Sequence, residues 1–224
     1  MSPADFLFPG VHWVLEILLV VFLALFLWIC ICARSVRYFW KFPAPAAAGR
    51  LIGGPQRKRI QPPSMIVDAL VLSPGMKILE LGCGPGTFTL DIARAVQPDG
   101  TVYAVDIQEG MLEQLRSRMK REQVENVIPI LADAEVEIPL SDGSMDAAFA
   151  VTVLPEIPDP VKALQQVKRL LKDGGCFADA ELMIDPDYPL RRTVIKWATK
   201  AGFTFRSKSG NAFRYVLVFQ SESQ

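Results

Sequence analysis

An α/β fold with a mostly parallel sheet is the expectation for this 224-residue chain, and three observations carry it. Lys77-Ile78-Leu79-Glu80-Leu81 reads as a buried strand that runs straight into Gly82-Cys83-Gly84-Pro85-Gly86. Those glycines let the backbone turn tightly and let a ligand approach it closely. Residues 87–96 read as a helix, whose N-terminus suits polar or anionic ligand groups. The following strand, residues 101–105, ends in an acid, Asp106. Strand, glycine turn, helix, strand and acid make one Rossmann-like β-α-β unit with a nucleotide-type site.

Taken in order, the chain begins with an apolar run over residues 11–33, interrupted only by His12 and Glu16. As a helix it would be ~35 Å long at ~1.5 Å per residue, enough to cross a bilayer with some tilt. Trp13 stands at one end and Tyr38, Phe39, Trp40 and Phe42 at the other, as interfacial aromatic belts do. A single-pass anchor is expected. A cleaved signal peptide is the alternative, with Ala46-Ala47-Ala48 as a cleavage-site mimic, and a buried core helix is a third reading. The missing basic n-region, the length of the run and the basic flank favour the anchor, and that flank places the C-terminal side in the cytoplasm.

Residues 34–63 form a linker rich in Pro, Ala and Gly. It carries Arg34, Arg37, Lys41, Arg50, Arg57, Lys58 and Arg59 and no acid, although the whole chain has zero formal net charge. Its cations are expected to rest on anionic lipid head groups, at roughly 1 kcal/mol each. Arg57-Lys58-Arg59 lies farther from the apolar run than topology requires, which suits surface docking or a lid over the site. The domain behind it, residues 64–224, is net acidic, so no nucleic-acid partner is expected. Cys30, Cys32, Cys83 and Cys176 form no disulfide or metal pattern, which fits a reducing compartment. The single histidine, His12, is remote from the glycine turn, so the commonest general base is missing.

Within the domain, residues 64–72 read as a short helix and 110–123 as an amphipathic one, with Met111, Leu112, Leu115 and Met119 on one side. Residues 127–131 form the third strand, followed by Asp133 and Ala134. Residues 145–153 form the fourth, continuously apolar after Asp146, as a central parallel strand buried on both faces must be. A helix over 161–171 stops at Lys172-Asp173-Gly174-Gly175, and 176–182 form the fifth strand. A helix over 186–201 and a closing hairpin, 203–207 with 213–220, end the chain.

Glu80-Leu81-Gly82-Cys83-Gly84-Pro85-Gly86, Asp106, Asp133-Ala134, Asp146-Ala147-Ala148-Phe149 and Leu171-Lys172-Asp173-Gly174-Gly175 together resemble the ordered motifs of class I S-adenosylmethionine (SAM) methyltransferases. Over about residues 64–220 the chain is most similar to the type-11 group, which includes the ubiquinone/menaquinone-biosynthesis enzymes. The resemblance implies a seven-stranded sheet in the order 3-2-1-4-5-7-6 with only the seventh strand antiparallel, and SAM as cofactor. Pro155-Glu156 stands where many relatives have His, and the path from Glu181 to the next helix is short. The site is therefore expected to lack a substantial lid of its own.

On that reading, the Gly82, Cys83, Gly84 and Gly86 turn positions the methionine end of SAM, with Glu80 near its amino group. Asp106 holds the ribose hydroxyls, and Asp133, beside Ala134, holds the adenine amino group. A helix cap and a turn cap are the plain alternatives for these two acids. Ile107 and Met111 pack on the adenine face or belong to the core. Val151 and Thr152 line the methyl-transfer channel. Glu156 is the first candidate for a general base, ahead of Glu181, Asp185, Asp187 and Tyr188.

The expected activity is methyl transfer to a lipophilic or membrane-associated acceptor: a phospholipid amine, a quinone precursor or a lipophilic thiol. A catalytically silent, membrane-tethered SAM sensor or scaffold is the alternative. A nicotinamide-dependent oxidoreductase is a third reading, against which the carboxylate of Glu80 beside the turn argues, because it would repel a diphosphate.

Overall fold

The computed structural model describes residues 11–39, 41, 43, 45, 46, 49 and 53–221. Two compact units result, Met1–Trp40 and Lys41–Gln224.

Among the described residues the first unit is one helix, α1 (Val11–Phe39). The described side chains from Trp13 to Trp28 are all exposed. Among the described residues, no helix is long and apolar enough to cross a membrane. The expected span over 11–33 is to that extent unsupported. The side chains of Arg34, Arg37, Tyr38, Phe39, Trp40, Phe42 and Arg50, with the expected belt and flank, lie outside the described residues.

The second unit opens with two short helices, α2 (Pro55–Ile60) and α3 (Ser64–Leu70). There follow β1 (Lys77–Leu81), α4 (Thr89–Ala95), β2 (Thr101–Asp106), α5 (Glu109–Glu122), β3 (Val127–Leu131) and β4 (Met145–Val151). A 3-10 turn at Leu154–Glu156 leads to α6 (Pro160–Leu170), β5 (Leu171–Leu182), α7 (Arg191–Lys200), β6 (Phe203–Gly210) and β7 (Arg214–Ser221).

The seven strands form one sheet in the order β3-β2-β1-β4-β5-β7-β6. β7 runs antiparallel to β5 and β6, and the other pairings are parallel. The reversal of strand order between β1 and β4 is the topological switch point, where open α/β sheets bind their ligands.

The alternation of side chains along each strand builds two cores, one on either face. On one face Leu79, Leu81, Ala148 and Phe177 meet Leu164 and Val167 of α6 and Val194 and Ala198 of α7. On the other, Ile78, Ala147 and Phe149 meet Ile66 of α3, Leu90 and Ile92 of α4, and Leu112 and Leu115 of α5. A buried Leu or Ile contributes about 1.5–3 kcal/mol, so each of these helices is held to the sheet by several such side chains.

Three element boundaries differ from expectation. β4 stops at Val151, because Thr152 turns into the left-handed region at φ 55°. β5 begins at Leu171, paired with Met145, and its pairing resumes only at Cys176 with Ala147. The expected helix over 186–201 is confined to Arg191–Lys200. Pro189 cannot donate a backbone N–H and disfavours helical geometry at the residue before it.

Candidate functional site

A cleft of about 190 Å³ opens where the C-terminal ends of β1, β2 and β4 meet. Its floor is the glycine turn after β1. Gly82, Gly84 and Gly86 have φ of 65°, 52° and 79°, conformations that favour glycine. A Cβ on Gly82 would lie 2.5 Å from Val153 Cγ1, whereas one on Gly84 would meet nothing within 4 Å. Gly84 therefore leaves its backbone open to a ligand. Gly86 has a packing role instead: a Cβ there would lie 2.4 Å from Leu115 Cδ1, and Gly86 does not line the cleft.

Three acids stand around this floor. Glu80, on β1, is buried, and its Oε2 has no hydrogen-bond partner among the described residues. Desolvation, reinforced by the nearby Asp106, pushes it up to about 8. Asp106, at the end of β2, accepts the Gly84 N–H at 2.8 Å through Oδ2 and the Gln108 N–H at 2.9 Å through Oδ1. Burial raises its pKa, against the pull of those backbone donors. Asp133, after β3, accepts the Glu135 N–H at 2.8 Å through Oδ1. The turn cap weighed as the plain alternative for Asp133 is thus present, whereas Asp106 bonds the N–H of Gln108, the residue before α5 begins, rather than an N–H of the helix; both side chains line the cleft as well.

The remaining wall is apolar. Ile107 is 53% exposed at the rim, whereas Met111 is buried. Cys83 is buried, with its N–H on Val105 O at 3.0 Å, and desolvation drives its thiol pKa up. A thiol so placed is packing, not a nucleophile. Ala134, Val151, Thr152 and Glu156 complete this side, Glu156 from the 3-10 turn.

The fourth wall comes from the linker, where the sequence suggested a lid only at Arg57-Lys58-Arg59. Pro43, Gly49 and Arg57 line the cleft. Gly49 and Gly53 permit the approach: a Cβ on the first would lie 2.9 Å from Met111 Sδ, and one on the second 2.5 Å from Thr87 Oγ1. The linker's described cations are largely turned onto the domain rather than outward. Lys41 donates to Ile157 O at 3.0 Å, and Lys58 pairs with Asp91. Arg57 forks onto Asp185 at 2.9 and 2.8 Å and also donates to Thr152 Oγ1 at 2.9 Å. Arg59 stays exposed. Two glycines inside a linker were the legible signal of close packing.

The reserve base candidates are not equivalent. Glu181 is fully buried beside the equally buried Asp179 on β5, and all four of their carboxylate oxygens lack partners among the described residues. Glu181 is a core group, not a residue of the mouth. Asp185 is held by Arg57, and the Tyr188 hydroxyl donates to Ala212 O at 2.7 Å.

Residues 72–217 match the family described as Methyltransferase domain. The chain belongs to that family.

This methyltransferase is similar to an uncharacterized 37.1 kDa protein in transposon TN4556 of Streptomyces fradiae, 39% identical over 61% of this chain and 40% of that protein. It is also similar to the demethylmenaquinone methyltransferase of Lactococcus lactis, 36% identical over 45% of this chain and 40% of the relative. The methyltransferase thus spans about 40% of the length of these relatives. Among solved structures, a SAM-dependent methyltransferase from Aquifex aeolicus aligns with a TM-score of 0.75 at 22% identity, over 80% of this chain and all of that one. This last likeness bears on the fold.

The fold and the domain imply SAM as cofactor, and the residues of this methyltransferase fit it. A buried carboxylate oxygen without a partner calls for a cationic donor, and SAM carries an ammonium. The open side of Gly84 admits a ligand against the backbone.

Proposed function

We propose that the chain transfers the methyl group of SAM to a lipophilic acceptor taken from a membrane. The observation that carries this reading is the shape of the cleft. Part of its lining gathers Glu80, Asp106 and Asp133 around an open glycine turn, and at the exit of β4 the apolar Val151, Val153 and Ile157 stand beside Arg57, Thr152 and Glu156. The exposed apolar side chains of α1 supply the membrane part of the reading. Relatives described as demethylmenaquinone methyltransferases make a quinone precursor one acceptor to test, beside phospholipid amines and lipophilic thiols.

In this reading Glu80 takes the ammonium of the cofactor, Asp106 the ribose and Asp133 the adenine, while Ile107 and Met111 flank the ring. SAM supplies an electrophilic methyl on a sulfonium, which becomes a neutral thioether as the acceptor gains the methyl and gives up a proton. The chain's own contribution is alignment and exclusion of water. Val151, Val153 and Ile157 give the exchange an apolar wall, and Glu156, which lines the same cleft, is the proposed acceptor of the proton. In this reading α1 is the membrane anchor and the catalytic domain is cytoplasmic.

The test uses the full chain in lipid vesicles with methyl-labelled SAM and a membrane extract. Label in the lipid fraction is the expected result. Label confined to aqueous or volatile products would replace the acceptor class with a small metabolite. Tight SAM binding without transfer to any fraction would favour the silent sensor.

A further inference from the structure

We propose that Arg57 and Thr152 together recognise an oxygen on the methyl acceptor, and so select phenols, enols or carbonyl compounds over amines. This rests on the cleft being a methyl-transfer site for a lipophilic acceptor.

Thr152 sits where β4 ends and lines the cleft. Its φ of 55° is a left-handed conformation that a β-branched residue adopts only under constraint. Two contacts impose it. The Thr152 N–H donates to Ala180 O at 2.9 Å, and its Oγ1 receives an Arg57 Nη2–H at 2.9 Å. A guanidinium can only donate. The hydroxyl is therefore the acceptor in that bond, and its own hydrogen is left for another partner. Among the described residues nothing accepts it.

Arg57 is itself fixed. Its fork on Asp185 measures 2.9 and 2.8 Å, and its side chain is 11% exposed. Bidentate pairing of this kind holds the guanidinium plane in place. Three of its five N–H groups are engaged in these bonds, and the rest are donors too. The pair thus offers O–H and N–H donors at the end of the cleft formed by the exit of β4. An acceptor oxygen satisfies such donors, whereas an ammonium brings only further donors. The carboxylate that an amine would need is Glu156, on the same cleft.

The experiment uses the full chain in phosphatidylcholine vesicles with methyl-labelled SAM. Two probes are compared, an alkyl-naphthol and the alkyl-naphthylmethylamine of matched size. The naphthol is expected to exceed the amine in kcat/KM at least ~10-fold, since a site built to hydrogen-bond its substrate rejects an analogue that leaves its polar groups unpaired by up to ~10⁴-fold or more. Thr152→Val, equally β-branched, should lower the naphthol-to-amine ratio of kcat/KM ~10-fold, whatever it does to either probe alone. Arg57→Lys, which keeps the charge but not the fork, should give a smaller loss in the same ratio.

An amine preference in the natural protein, or a ratio unmoved by Thr152→Val, overturns the proposal and leaves the lipophilic-acceptor reading standing. If an amine preference disappears in Glu156→Gln, acceptor recognition belongs to that carboxylate. Failure to methylate either probe, with SAM binding intact, overturns both readings.

Discussion

Asp106 Oδ2 accepts the Gly84 N–H at 2.8 Å and so ties the end of β2 to the middle of the glycine turn after β1. The acid is a brace for the turn as well as a candidate ribose ligand. Hydrogen bonds to a charged group contribute about 1.5–3 kcal/mol each. Asp106→Ala should therefore weaken SAM binding by about 10- to 100-fold and also lower the melting temperature. Asp106→Asn, which retains one acceptor oxygen, should fall between. Calorimetric titration beside thermal melts checks both.

Gly84 and Gly86 should separate function from packing. Both have positive φ, so Ala at either costs about 1–2 kcal/mol of backbone strain. At Gly86 the added Cβ also strikes Leu115, adding about 1–3 kcal/mol of overpacking. Urea denaturation should show Gly86→Ala as the less stable variant. Gly84→Ala should stay folded and lose SAM affinity, because its Cβ enters the side left open for a ligand.

Glu80 lies near 8 in the free protein, so most molecules hold it protonated at pH 7. Pairing with an ammonium requires the carboxylate, and binding must then release a proton. SAM affinity should rise with pH toward about 8, by at most about tenfold per pH unit, and fall again as the cofactor's own α-ammonium loses its proton. Glu80→Gln should abolish the rise. A pH-independent affinity in the natural protein would remove Glu80 from the cofactor contacts.

The buried pair on β5 predicts a second pH effect, on stability. Desolvation pushes Asp179 up to about 8 and Glu181 well above its ordinary value. Between an unfolded pKa near 4 and the folded value, the native state holds a proton that the unfolded state has lost. Stability is then greatest below about pH 4 as far as these groups are concerned, and it declines as pH rises toward 8. Asp179→Leu should raise the melting temperature at pH 8 and flatten its dependence from pH 5 to 8. The gain should be about 1–3 kcal/mol, the cost of an unsatisfied buried polar group.

The local code carried most of the sheet. β1 and β3 stand where the apolar runs place them, and Glu80, Asp106 and Asp133 meet at one cleft because each sits at, or just beyond, the end of a parallel strand. The strand order came through the motifs rather than through periodicity. Thr152 was not legible, because Val-Thr-Val reads as strand by propensity and its left-handed turn is imposed by Arg57 and Ala180. Arg57 was legible only as one of a basic triplet suited to surface docking or a lid, because the partner that decides its role, Asp185, is 128 positions away. Glu181 looked like a residue of the mouth because its strand ends there, yet the alternation of β5 turns it toward the face that Tyr215 and Leu217 fill.

The linker that walls the cleft has a practical consequence for anyone trimming this protein. A fragment beginning at Ser64 would keep all seven strands and both cores, and its spectrum would report a folded domain. It would lack Pro43, Gly49 and Arg57, leaving Thr152 without the guanidinium that accompanies its turn and Asp185 without a counter-charge. A cut made at Lys41 spares that wall, so the choice of starting residue decides whether an assay on the fragment speaks for the whole chain.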